Sequence, residues 1–540
     1  GDQTDGCNFS EHFADYFQSV FTTSSNAQPT LYKGDWAGNF KFDEILESEV
    51  LFAIDKLKTD KAAGPDHIPP FVVKGCKDVL VRPLTIIFNQ SLMHREFPAL
   101  WKVSRVSPVF KKGEVSEISN YRPVAITSVF AKVFESIIHG RIYDHVKPFI
   151  SANQYGFLPR KSTVGNLVNI TEDISSALDA GKQVDVIYTD FQKAFDKVDH
   201  SILIHKMDNF GFNSEALEFI ASYLTDRIQY VTFQHTESNP YFVKSGVPQG
   251  SNLGPLFFLI FINDICDSVQ YSKVLKFADD LKIYKIINEL QDCEKLQSDV
   301  NSLHKWSIPN KLPFHIGKCR IMSYSRCRNP IIFIYSMNDI QLERVNETVD
   351  LGVHFNSVLS FDDHILSVYS AAIKNLYYIT WRGKYLSDPA ALKALFNAFV
   401  RSKLEYAVEV WSPLSLRSIQ LIERIQKRFL RFLLYRVSRV FSFRAPYNFL
   451  LTVFEMDELS ERRHRFCVRF IEKLLNGELD DSNSLARLNF AVPDLRLRQR
   501  SFKLFRLDRC RTVDRTNSPF NRCMRLFNDE LESVDDVSLF

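Results

Sequence analysis

The sequence predicts an α+β protein, an antiparallel sheet backed by helices and followed by a helical C-terminal region. Three observations lead there. Two strand-like apolar runs carry acids: Val184-Asp185-Val186-Ile187-Tyr188-Thr189-Asp190 ends on one, and the run from Val274 to Tyr284 holds Phe277-Ala278-Asp279-Asp280 inside it. Around them lie segments whose apolar residues recur at helical spacing. From about His364 onward helical patterns dominate.

The composition is that of a globular chain. Its 540 residues are 45% hydrophobic, with 46 Phe and 20 Tyr, which excludes a disordered polymer. Length alone suggests about three or four domains. Net charge is only +3, so any nucleic-acid surface must be local. The nine Cys include no CxxC or Cys/His cluster at zinc spacing, and their odd number reads as reduced intracellular thiols. No apolar run approaches the ~20 residues of a membrane span. The chain starts at Gly1, so a longer parent polypeptide is expected.

Taken in order, Phe9, Phe13, Phe17 and Phe21 form one helical stripe, and Ser24 to Asn39 reads as a turn-rich linker. A helix carrying Val50, Leu51, Ile54 and Leu57 stops at Gly64-Pro65. A second helix spans Asp78 to His94. Trp101 to Phe110 is β-like and leads to Lys111-Lys112-Gly113, then Asn120-Tyr121-Arg122-Pro123 and a helix through Ile137 and Ile138. Lys111 and Arg122 are either solvated loop residues or a triphosphate clamp, a point charge beside a planar fork. Gln154-Tyr155-Gly156-Phe157 with Arg160-Lys161-Ser162 is a basic turn able to cradle a template backbone. Helices follow around Ile202 to Met207 and Glu215 to Leu224, then a hairpin of Tyr230 to Phe233 with Tyr241 to Val243. In Gly246 to Pro255 the glycines keep side chains away, so the backbone can approach a ligand. Leu256 to Ile262 is a buried helix, Leu290 to Trp306 an amphipathic one, and Lys318 lies by the strand-like Cys319 to Tyr324. Leu351-Gly352-Val353 begins a further hairpin. In Ile419 to Tyr435 one helical face is apolar and the other carries Arg424, Lys427, Arg428 and Arg431. That stripe is either solvated surface or a track for a duplex backbone. Residues 487–525 hold eleven Lys/Arg against three Asp/Glu, a local +8.

Adjacent acids inside an apolar run need a reason, because an unpaired buried charge costs several kcal/mol. A β-turn is one reading of Asp279-Asp280. The other joins them to Asp190. If both acids end neighbouring strands, their carboxylates can hold two divalent cations about 3.5–4 Å apart, one activating a 3′ hydroxyl and the other steadying pyrophosphate. Mg²⁺ suits such oxygen ligands.

Eight strings in order, "KAAGPD", "NYRPVAITSVFAKVFE", "QYGFLPRKST", "TDFQKAFDKVDH", "GVPQGSNLGPLFF", "FADD", "LGVHFNSVLSF" and "RSKLEYAVEVWSP", resemble the blocks of reverse transcriptases, most closely the jockey-like enzymes of LINE-type (non-LTR) retrotransposons. The match runs from about Lys61 to Trp411. The resemblance implies a right-hand polymerase, with an N-terminal extension over 1–44, fingers and palm over 45–355, thumb over 356–440 and a helical basic region over 441–540. It implies that Asp190, Asp279 and Asp280 ligate two Mg²⁺ (Mn²⁺ as an alternative ion), and that Lys318 is the general acid toward pyrophosphate. Lys111 and Arg122 then contact the triphosphate, Phe191, Gln249 and Gly250 line the nucleotide site, and Phe195 is a steric gate beneath the sugar. Related RNA polymerases carry an acid near the Phe195 position, where it can bond a 2′ hydroxyl; a Phe fills that space, so dNTPs are expected over rNTPs.

The implied reaction is copying of element RNA into cDNA from a 3′ hydroxyl on nicked target DNA, with RNA template, DNA primer and dNTPs as partners and no membrane. The implied setting is the nucleus, with a cytoplasmic ribonucleoprotein stage. His315 and Asn252 depart from the family pattern, but neither removes a metal ligand, so activity is expected. The family's endonuclease normally lies upstream, and residues 1–45 lack its pattern. The alternatives are a non-catalytic RNA-binding remnant and a group II intron-type maturase, whose blocks after "FADD" fit less well.

Overall fold

The structure, a computed structural model, describes residues 9–22, 39–386, 388–438, 445–492 and 503–533. β1 (Val103–Phe110) and β2 (Tyr121–Thr127) form a hairpin, and β3 (Gln183–Thr189) follows a long helix. Next come β4 (Ile228–Phe233), β5 (Thr236–Glu237), β6 (Tyr241–Phe242) and the hairpin of β7 (Lys273–Phe277) with β8 (Asp280–Ile287). After β9 (Arg320–Tyr324) the strands shorten: β10 (Ser336–Met337), β11 (Ile340–Gln341), β12 (Glu343–Arg344), β13 (Glu347–Asp350) and β14 (Val353–Asn356).

The central sheet runs β12-β9-β3-β8-β7. Its β9, β3, β8 and β7 pair antiparallel, as expected, while the two-residue edge strand β12 lies parallel to β9. β3 reads as a near-continuous apolar run because both faces of the sheet are covered. Successive side chains point to opposite faces. Ile187 therefore joins one core with Phe134, Phe257 and Leu296, while Val184 and Val186 join a second with Leu167, Phe429 and Ile471. A smaller sheet, β2-β1-β4-β5 with β6 beside β4, combines the antiparallel β1–β2 hairpin with a parallel β1–β4 pair.

The helices follow the apolar spacing. Phe9–Ser19 buries Phe13 and Phe17 against the small sheet, where Phe13 meets Tyr121 and Phe233 at 5.0 and 5.1 Å between ring centroids, while Phe9 stays exposed. Val129–Val146 is capped by Ser128, whose Oγ accepts the Phe130 N–H. In Leu253–Ile262 every residue but Pro255 is buried. Leu351-Gly352 does not begin a hairpin. It is the two-residue turn between β13 and β14, with φ of 44° and 85°, a backbone that suits the strand twist of a two-residue hairpin.

The C-terminal region is helical, as expected, with Leu416–Ser438, Tyr447–Phe454, Leu459–Leu475 and Pro519–Ser533 as its longer elements. Part of the +8 of residues 487–525 is directed inward, while Lys503, Arg506, Arg509 and Arg511 are exposed. Arg487 donates to Asn169 Oδ1 (2.9 Å) and Asp173 Oδ1 (3.0 Å), Arg515 pairs with Glu172, and Arg522 donates to the Asn517 carbonyl at 2.6 Å. Arg496, Arg498, Arg500 and the acids Asp535 and Asp536 lie outside the described residues, as does the linker up to Ala37-Gly38. Among the described residues, no helix is long and apolar enough to cross a membrane.

Phe134 carries the first core. Its ring stacks on Phe88 at 4.4 Å and on Phe97 at 5.7 Å, and all three are buried. Phe134→Ala should destabilise the protein by about 3–5 kcal/mol, read as a fall in the urea midpoint. Phe52→Ala, on an exposed face, should change it by no more than about 0.5 kcal/mol.

Candidate active site

Register brings the acids together. Thr189 on β3 lies opposite Leu281 on β8, and Phe277 opposite Asp280 across the β7–β8 turn. Asp190, one residue past β3, therefore reaches the same sheet end as Asp279 and Asp280; opposed Cβ atoms in such a ladder sit roughly 4.5–5.5 Å apart. Their charges register one another. Withdrawal from water raises the Asp279 carboxyl, Asp190 raises it further, and Arg122 and Lys111 oppose this. Burial, then Asp279, Asp350 and Asp190, push Asp280 up to about 6.

Lys318 is delivered by a docked turn. The His315 N–H donates to the Asp190 carbonyl (2.7 Å) and the Lys318 N–H to the His315 carbonyl (2.8 Å), leaving Lys318 Nζ 3.3 Å from Asp190 Oδ2. His315 thus serves through its backbone. On the facing hairpin, the Lys111 N–H donates to the Asn120 carbonyl at 2.9 Å and Val109 lies opposite Arg122, so both cations project from one strand end. Burial lowers the Lys111 ammonium, Arg122 lowers it further, and Asp190 opposes the shift. Lys111, Asp190, Asp280 and Lys318 line one cleft of ≈ 390 Å³.

Among the described residues no three His, Cys, Asp or Glu side chains form a ready metal cage. Like charges repel, and Asp190 leans toward Lys318. A Mg²⁺ site needs only one or two carboxylates when substrate phosphates complete it, and the carboxylates of Asp190 and Asp279 are the hard oxygen donors such an ion takes.

Phe195 is held as a wall, stacked on Phe258 at 4.5 Å and edge-on to Phe157 at 5.8 Å. Phe191 corrects an expectation. Its ring is buried against Phe314 at 4.3 Å, so the side chain belongs to the core. Gly250 also has a different reason for being glycine. At φ 124° a Cβ there would collide with the Ala125 carbonyl of β2, so the close approach is to the protein's own strand. The loop is pinned there by the Ala125 N–H, which donates to the Gln249 carbonyl at 2.7 Å. Asn252 donates its N–H to buried Glu135 (2.7 Å) and its side-chain amide to the Lys132 carbonyl (2.9 Å).

Arg160 and Lys161 are not brought to the cleft. Arg160 donates to the Gly477 carbonyl (3.3 Å), and Lys161 donates to the Ala152 carbonyl (3.0 Å) and lies over the Tyr155 ring. Arg424, Lys427, Arg428 and Arg431 stand on the helix Leu416–Ser438 and are not among the residues that line the cleft.

Two side chains were missed. Buried Gln154 accepts with Oε1 from the N–H groups of Gly156 (2.8 Å) and Ala278 (2.9 Å), so "QYGF" braces the turn that presents Asp279. A Cβ on Gly156 would strike the Ala278 nitrogen. Only the neighbouring glycine hinted at this close contact. Asp196 accepts from Gln249 Nε2 at 2.7 Å, and burial pushes its carboxyl up to about 6. Nothing in "FDKVDH" marks it.

Carboxylates and cations thus share one cleft. Residues 109–355 match the family described as reverse transcriptase (RNA-dependent DNA polymerase). The chain is 24% identical over 443 residues to a probable RNA-directed DNA polymerase from transposon BS of Drosophila melanogaster, covering 78% of this chain and 48% of that protein. It is 24% identical over 404 residues to the RNA-directed DNA polymerase from mobile element jockey of Drosophila funebris (72% and 44%), and 25% identical over 394 residues to a probable RNA-directed DNA polymerase from transposon X-element of Drosophila melanogaster (71% and 43%). The chain spans about half the length of these curated relatives. Over these spans the chain is similar to the RNA-directed DNA polymerases of jockey and related mobile elements.

Asp196 supplies a pH test. Its carboxyl, near 3.9 in an unfolded chain, titrates near 6 when folded. The folded state therefore binds more protons between about pH 4 and 6, and stability falls as pH rises through that window. Asp196→Asn should match wild type near pH 4 and gain a higher urea midpoint that levels off above pH 6. A difference independent of pH would remove the buried charge from the account.

Proposed function

We propose that the chain copies RNA into DNA by nucleotidyl transfer from a 3′ hydroxyl, as the polymerase of a non-LTR retrotransposon using nicked target DNA as primer in the nucleus. The observation that supports this reading is the β3–β8 register, which puts Asp190 at the sheet end of Asp279 and Asp280, with Lys111 and Arg122 near enough to oppose the rise of Asp279. Asp190 and Asp279, with Asp280 beside them, would hold Mg²⁺. When bound, the ions supply positive charge at the attacking hydroxyl and the departing pyrophosphate. The remaining work is positioning and charge stabilisation. Lys111 and Arg122 grip the triphosphate. Lys318, at Asp190, delivers a proton to pyrophosphate. Phe195, immobilised by Phe258 and Phe157, fills the space a 2′ hydroxyl needs. On this reading the two sheets and their helices, about 45–355, form fingers and palm, 356–440 the thumb, and 441–540 a helical basic C-terminal region.

Extension of a DNA primer on an RNA template with Mg²⁺ tests the proposal. Asp279→Ala should lower the rate at least about 10²-fold, the scale of losing one charge-stabilising group, and chelation should abolish it. RNA binding without extension by the wild type would leave only a binding remnant. In the same assay Phe195→Ala should raise ribonucleotide use relative to dNTPs by about tenfold or more; an unchanged ratio removes the gate.

A further inference from the structure

The helix Asp362–Arg382 buries Ile365, Ala372, Leu376 and Ile379 in the second core. The outward side of its last turns, continued by Gly383–Tyr385, carries Tyr377, Tyr378, Trp381 and Tyr385, which are 49%, 62%, 56% and 77% exposed. Single exposed rings are ordinary, but four within nine residues on one side of a helix end form a patch.

Cations are interleaved with the rings. Arg382 lies 4.4 Å from the Trp381 ring centroid and 6.0 Å from that of Tyr378; Lys384 lies 4.8 Å from Tyr385 and 6.0 Å from Trp381. Arg428 sits 4.4 Å from the Tyr377 centroid and donates to its hydroxyl at 2.7 Å, joining this patch to the basic face of Leu416–Ser438. Among the described residues none of Arg382, Lys384, Arg424 and Arg428 pairs with a carboxylate. The nearest acid in the chain, Asp388, accepts the Ala390 N–H at 2.9 Å and the Ala391 N–H at 3.3 Å as a helix cap.

We propose that this ring-and-cation surface binds single-stranded nucleic acid, stacking unpaired bases on Tyr378, Trp381 and Tyr385 while Arg382, Lys384 and Arg428 hold the phosphates. Exposed rings with interleaved cations are what a strand of unpaired bases needs, since every base has a π face and every linkage a negative charge. A closed duplex shows those rings only its backbone and groove edges. Aromatic and basic residues also mark membrane interfaces, but here cations stand among the rings, and the row continues onto a basic helix. The choice of nucleic acid as ligand rests on the proposed polymerase reading; the arrangement of the surface does not.

The test uses the whole chain with a labelled, unstructured single-stranded RNA of about twelve nucleotides, within the usual site size, a blunt duplex of equal length, and phosphatidylserine/phosphatidylcholine vesicles. The double variant Trp381→Ala/Tyr385→Ala should weaken single-strand binding about 5- to 100-fold, the scale of lost stacking, and leave its salt dependence and the duplex affinity unchanged. Arg382→Gln/Lys384→Gln should flatten the salt dependence. Trp381→Phe keeps a ring and should retain most of the affinity, and the fluorescence that wild type shows beyond this variant should fall on adding the single strand. Undiminished single-strand binding by the alanine variant, equal loss for duplex, or the same fluorescence change with vesicles would overturn the proposal. Primer extension on the same preparations separates the two readings. Extension with unaltered single-strand binding in the variants rejects the surface alone, and loss of single-strand binding without wild-type extension rejects the polymerase alone.

Discussion

The pairing of β3 with β8 is the constraint on which the site depends. A slip of one residue would turn Val184 and Val186 out of one core and Ile187 out of the other. Polar contacts lock the same register. Thr189 Oγ1 donates to the Leu281 carbonyl at 3.0 Å, and Tyr188 and Tyr324 share a hydrogen bond of 2.9 Å across the neighbouring strand. Asp185 is wholly buried and accepts from Gln183 (2.8 Å), Ser323 (2.6 Å) and Tyr335 (2.8 Å), so a shifted strand would strand a charge away from its donors. Buried Lys282 and Asp350 pair to hold the β13–β14 hairpin to β8. The acids at the sheet end inherit their positions from this lattice.

Around that end, loops are fastened to protein groups. Ala278, at φ 56°, is held by Gln154, and the segment leading into "QYGF" pairs with β7, the Tyr155 N–H donating to the Lys276 carbonyl at 2.9 Å. Glu135 is fully buried and accepts from Tyr223 (3.0 Å) and the Asn252 N–H. Burial raises its carboxyl and Arg227 opposes the rise. Gly250 seats its loop on β2. Such bracing places donors and acceptors before a substrate arrives, which is how positioning lowers a barrier.

The helix Thr163–Asp179 ties the C-terminal segment to the central sheet. Its apolar residues face the sheet, while Asn169, Glu172, Asp173 and Asp179 receive the C-terminal segment; the Thr512 hydroxyl, for example, donates to Asp179 at 2.8 Å. Tyr155 adds a bond to Asp481 at 2.9 Å. Basic charge in sequence is therefore only partly basic surface in space. Arg487 and Arg515 are consumed by this interface and Arg522 by the carbonyls of Asn517 and Glu409, whereas Arg382, Lys384 and Arg428 stand outward among exposed rings.

The sequence by itself determined the elements and the chemistry of the site. Apolar spacing marked the helices from Val50 to Ile262, apolar runs carrying acids marked β3 and the β7–β8 hairpin, and ordered motifs named Asp190, Asp279, Lys111 and Arg122, because periodicity and motif spacing are local properties. Tertiary structure alone decided what depends on partners far along the chain. It sent the Phe191 ring into the core and turned Arg160 and Lys161 toward the C-terminal region. It also made Leu351-Gly352 a turn, gave Gly250 its reason in Ala125, and set Gln154 beneath the turn that bears Asp279. The physical reason is that burial and hydrogen bonding are properties of pairs, and in each of these pairs the second member is supplied by the fold.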